Sequence, residues 1–107
     1  MGTANDELWS IAVNMVGSSD PGERASAMQA IDSLTKRGSA KELVSIASTF
    51  AGSADPNKQA AAMRAIDALG ERGARKELGD IASRFAKLTD PNKRVVARRA
   101  IHALRHG

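Results

Sequence analysis

Chemistry in this chain would have to come from its histidines, its stacked carboxylates or its arginines. His102 and His106 stand four residues apart, which on a helix puts both imidazoles on one face. Two such side chains can begin a metal site, but a zinc centre takes three or four ligands and no third lies within sequence reach. Two exposed histidines near a helix C-terminus are also favoured by the helix dipole alone. Asp32 and Asp67 are 35 residues apart. Nothing apolar is expected around them to lift a carboxyl pKa into the range useful for proton transfer, so they read as a surface ladder. Gln29, Arg64 and Arg99 make a second ladder at the same spacing, with Arg98 beside it. The planar fork of arginine suits phosphate or carboxylate. Ser/His/Asp groupings are absent, and Gly70-Glu71-Arg72-Gly73 does not have phosphate-loop spacing. No catalytic residue, cofactor site or metal site is expected, and the chain reads as a non-enzyme.

The elements that must carry these residues come from a repeated unit. Asp20-Pro21, Asp55-Pro56 and Asp90-Pro91 recur every 35 residues. A fixed period of this size points to stacked supersecondary units. Before each Asp-Pro lies a segment such as Leu43, Ile46, Ala47, Phe50, Ala51, apolar at i, i+3, i+4, i+7 and i+8, which is one face of a helix. After each Asp-Pro the apolar set is again helical: Ala27, Ala30, Ile31, Leu34, then Ala62, Ala65, Ile66, Leu69, then Ala97, Ala100, Ile101, Leu104. Asp at the cap and Pro at the first helical position suit a helix start. Gly38, Gly73 and Gly107 end the second helices, expected over Pro21 to Arg37, Pro56 to Arg72 and Pro91 to His106. Ser39 with Glu42 three residues on has the form of a capping box, which Ala74 breaks in the third unit. Six helices are thus expected, in three hairpins over 5–38, 40–73 and 75–107, within one domain spanning 1–107. Residues 39–72 and 74–107 are identical at 18 of 34 positions, more than shared helical patterning explains. Duplication or deliberate repetition accounts for this, and the start and stop at unit boundaries fit an excised fragment or an engineered repeat protein.

Composition limits what these helices can serve. Alanine dominates the 42% hydrophobic fraction, with two Phe, one Trp and no Tyr. Each small side chain buries little area, so stability must come from many modest contacts. Absence of Cys removes disulfides and thiolate metal sites. No apolar run approaches the ~18 residues of a membrane span, and the start has no basic n-region or h-region, so a soluble cytoplasmic protein is expected. The net charge of +4 conceals a gradient of −4 over 1–35, +2 over 36–70 and +6 over 71–107. A basic end attracts nucleic acid, anionic membrane or an acidic protein patch, or is a solvated helical surface. Single-strand stacking platforms are not expected, because both Phe residues fall on core stripes.

Each unit resembles a HEAT/armadillo-like repeat: an amphipathic helix, an Asp-Pro turn, then a helix such as Ala97-Arg98-Arg99-Ala100-Ile101-His102-Ala103-Leu104. The period and the Asp-Pro-Asn turn are also similar to tetratricopeptide repeats, though the aromatic positions of that family's first helix are missing. The resemblance covers nearly the whole chain and implies an all-α fold, a right-handed α-solenoid of three 35-residue helix-turn-helix repeats. It also implies that the second helices line the binding face, here carrying Gln29, Asp32, Arg64, Asp67, Arg98, Arg99 and His102. The expected function is a binding or scaffold module for a protein or peptide. The alternative is a nucleic-acid-binding module using the basic C-terminal third. Neither end carries an obvious polar cap in this reading, so self-association through the ends is a third expectation. Trp9, at the N-terminal edge, serves either edge packing or an interface.

Overall fold

The computed structural model describes residues 4–106, without the His106 side chain. Among the described residues there are six helices: α1 (Ala4–Met15), α2 (Pro21–Arg37), α3 (Ala40–Phe50), α4 (Pro56–Glu71), α5 (Arg75–Ala86) and α6 (Pro91–His106). All the regular structure they form is α-helical, within an envelope of 33 × 27 × 24 Å.

The even helices start where the Asp-Pro pairs predict. Asp20 and Asp55 hold extended backbones, and their carboxylates accept from the amides of Gly22 at 2.8 Å and Asn57 at 2.9 Å. Asp90 does the same for Asn92 at 2.9 Å. Each bond satisfies one orphan donor of a helix N-terminus, worth about 1 kcal/mol. α4 ends at Glu71, one residue before the expected Arg72.

The links between hairpins are shorter than a separate cap would need. At Gly38 (φ +72°) the backbone turns left-handed, its N–H bonds Thr35 O, and the Ser39 N–H bonds Leu34 O. Gly73 (φ +69°) repeats this, with Gly73 to Gly70 O and Ala74 to Leu69 O. That pair of bonds closes a helix C-terminus, and glycine supplies the positive φ without strain. Ser39 is therefore both the residue after one helix and the cap position of the next. Its ψ is 70°, not extended, and its hydroxyl makes no capping bond. The expected capping box does not form. Ala74 has nearly the same dihedrals, so the backbone and not the side chain sets this corner.

Packing follows chain order. α1 lies on α2, α3 on α4 and α5 on α6; α2 also meets α4, α4 meets α6, α1 meets α3 and α3 meets α5. α4 is the central helix, touching α2, α3, α5 and α6, and it buries Ala61, Ala62, Ala65, Ile66, Ala68 and Leu69. Four alanines among those six let neighbours approach closely on both sides, as dense packing requires. Along α3 the whole expected stripe, Leu43, Ile46, Ala47, Phe50 and Ala51, is buried. At the ends the same stripe is covered less. Ile101 and Leu104 are only partly buried, and Ala86 is exposed. Arg75 donates to Leu104 O at 3.0 Å and so engages a late carbonyl of α6.

Candidate binding face

The side chains singled out in the sequence lie on the outward side of α2, α4 and α6, away from the buried alanine, isoleucine and leucine stripe. Gln29, Arg64, Arg98, Arg99 and His102 are exposed; Asp32 and Asp67 are half-buried.

The two expected ladders are joined to each other. Arg64 grips Asp32 with both prongs, Nε to Oδ1 at 2.8 Å and NH2 to Oδ2 at 2.7 Å. Arg99 grips Asp67 in the same way at 2.7 and 2.6 Å. In both cases the partners are 32 residues apart, three residues or nearly one helical turn less than the 35-residue spacing of the Asp-Pro pairs. The guanidinium of each even helix thus reaches back to the carboxylate of the even helix before it. The hydrogen bond that Arg64 donates to Asp32 holds it above the usual guanidinium range, against a lowering by burial, with the charges of Asp32, Glu71 and Asp67 adding to the rise. For Arg99 the cause is again the hydrogen bond first, then the charge of Asp67. Every partner is close to half exposed, so each pair is a fastening worth roughly 0.2–1 kcal/mol.

Two open depressions flank these pairs. One, of about 370 Å³ between α2 and α4, is lined by Thr35, Lys36, Ala68 and Glu71 together with Asp32, Arg64 and Asp67. The other, of about 400 Å³ between α4 and α6, is lined by Met63, Val95, Arg98, Arg99 and His102. Met63 and Val95 were not among the expected site residues. They fall outside the repeated core positions of the even helices, and Val95 is 43% exposed. That offset is the sequence signal that could have found them.

His102 faces the second depression, while the His106 side chain lies outside the described residues, so the expected pair is described only at its first member. Among the described residues no three His, Cys, Asp or Glu side chains converge as a metal cage would need. Trp9 is part-buried, and its indole N–H donates to Ser45 Oγ at 3.0 Å, tying α1 to α3. Among the described residues no helix is long and apolar enough to cross a membrane. Compared with protein-family models, with curated proteins and with solved structures, the chain matches none.

Proposed function

We propose that the six helices are a right-handed α-solenoid of three 35-residue repeats, of HEAT/armadillo-like type, acting as a non-enzymatic scaffold. In this reading the outward face of α2, α4 and α6 holds a protein or peptide partner. The recurrence of one bidentate arginine–aspartate bond at both junctions supports stacking in register. So does the chain-order packing of odd on odd and even on even helices.

The observation that carries the choice of partner is the mixed charge of the α2–α4 depression. Lys36 lies there with Asp32, Asp67 and Glu71, while Arg64 is already bound to Asp32. A polypeptide bearing both signs complements such a groove. A nucleic-acid backbone would meet three carboxylates, and the two arginines best placed for phosphate are engaged within the chain.

Peptides selected by display against the chain should weaken at least tenfold with Lys36→Glu or Glu71→Lys, and should shift amide resonances along α2 and α4. Peptides that perturb only other surfaces would sink this assignment. A DNA duplex whose affinity falls steeply with salt and is lost in Arg98→Glu would transfer the function to the polyanion reading.

A further inference from the structure

Four positions recur at 35-residue spacing on the side of each hairpin that meets the hairpin after it, and all four change character in the last. The first is Gly17, Gly52, Lys87. A Cβ on Gly17 would stand 2.6 Å from Lys58 Cε, and one on Gly52 would stand 2.7 Å from Lys93 Cε, with Asp55 and Asp90 Oδ2 at 3.4 and 3.2 Å. The start of the next even helix therefore occupies the space a side chain would need. In the third hairpin an exposed lysine stands at this position. The second position is Met28, Met63, Arg98: both methionines are partly buried against the core, whereas the arginine is exposed. The third is Asp32, Asp67, His102, where the two aspartates receive an arginine from the following even helix. The fourth is Thr35, Gly70, Arg105; a Cβ on Gly70 would meet Ala103 Cβ at 3.2 Å.

The opposite end is altered in the complementary places. Ala61 and Val96 are 0% exposed, while Ser26 at the same step is exposed. Arg64 and Arg99 reach back to an aspartate, while Gln29 holds that place in the first hairpin.

We infer that Lys87, Arg98 and Arg105 close the outer side of α5 and α6 against the first hairpin of a second copy of this chain. The unaltered chain therefore does not associate head to tail through this face. The inference rests on the stacked reading proposed above and concerns the junction geometry that reading predicts. Docking a copy in the register of the internal junctions would drive Lys87 into the space of its Asp20–Glu23 turn. It would also bury the guanidinium groups of Arg98 and Arg105 where a thioether and a glycine sit, and set Gln29 against His102 in place of arginine against aspartate. Attraction of Asp20 and Glu23 for Lys87 is that of a solvent-screened surface pair, too weak to offset burying two guanidinium groups without carboxylates. Chains built of stacked units need such polar outer faces to stay soluble.

Sedimentation equilibrium tests this on the full chain. The unaltered protein should keep its monomer mass from micromolar to millimolar concentration. A variant carrying Lys87→Gly, Arg98→Met, His102→Asp, Arg105→Gly and Gln29→Arg should associate head to tail at least 100-fold more tightly. Association of the unaltered chain at micromolar concentration, or a folded variant that stays monomeric, overturns the inference. Should that variant fail to fold, Gly52→Lys with Met63→Arg places two closing residues at an internal junction. A clear loss of thermal stability is then expected, and an unchanged melt overturns the inference. The stacked reading is checked separately by inserting a second copy of residues 40–74 after Ala74. A longer helical protein melting in one step upholds it, and a chain that fails to fold cooperatively sinks it along with the closed end.

Discussion

Truncating one leucine in each even helix distinguishes an ordered row of hairpins from a bundle with a single shared centre. Leu34 and Leu69 are 0% exposed, and Leu104 in the same place of α6 is partly buried. Full burial in a well-packed core makes Leu→Ala cost about 3–5 kcal/mol, the lost transfer energy plus the cavity left behind. Leu69 lies in α4, with neighbours on every side, and should fall at the upper end. Leu104 is only partly buried among the described residues, so about 1–2 kcal/mol is expected there, since neighbouring side chains and water can fill the gap. Against a total stability of roughly 5–15 kcal/mol for a domain of this size, Leu69→Ala removes a large share. At about 4–8 °C per kcal/mol, a 4 kcal/mol loss lowers Tm by on the order of 15–30 °C, against roughly 4–15 °C for Leu104→Ala. Urea unfolding followed by far-UV circular dichroism gives the free energies, provided the slope with denaturant stays constant. Equal losses for Leu69→Ala and Leu104→Ala, or a loss at Leu69 below about 1.5 kcal/mol, would refute the reasoning.

Three further outcomes follow from the same structure. A double-mutant cycle on Asp67→Ala and Arg99→Ala should give a coupling of about 0.5–1 kcal/mol, because the bond is bidentate but half exposed, and about 1 M salt should roughly halve it. Ser39→Ala should change stability by less than about 0.5 kcal/mol in chemical denaturation, since its hydroxyl makes no capping bond; a loss near 1 kcal/mol would mean the cap forms in solution. Arg64 and Arg99 have their pKa values raised on folding, so their contribution is complete below the unfolded value and is lost only as pH rises through the folded one. That loss falls far on the alkaline side of neutrality. The Tm difference between the unaltered chain and Arg99→Gln should therefore be the same at neutral and mildly alkaline pH.

Helices and their starts were legible because the signals are local. Asp20, Asp55 and Asp90 bond amides two residues ahead, and Pro21, Pro56 and Pro91 fix the first turn, so no distant contact was needed to place them. The core stripe was legible wherever a hairpin has neighbours on both sides. It thinned at Ile101 and Leu104, since periodicity assigns a face to the core without saying whether anything covers it. The candidate face was half legible. Reading columns at 35-residue spacing put arginine beside arginine and aspartate beside aspartate, but the real bonds run diagonally, 32 residues apart. That offset is set by how far one even helix slides along the next, a property of side-chain packing between them. The Ser39 corner misled for a related reason. Its amide, the donor that Glu42 would need in a capping box, is already given to Leu34 O, and its ψ lies away from the extended cap geometry.

The corners at Gly38-Ser39 and Gly73-Ala74 leave no slack between hairpins. One residue's amide closes the helix behind while its carbonyl accepts from the helix ahead, Ser39 O from Leu43 N and Ala74 O from Leu78 N. Rotating one hairpin against the next would break backbone bonds on both sides of the hinge at once. The three hairpins should therefore move as a stiff body, and a ligand of the proposed face would find its contact points already spaced. Recognition by such a body loses little entropy to ordering the receptor, and selectivity comes from matching a fixed ruler of charges.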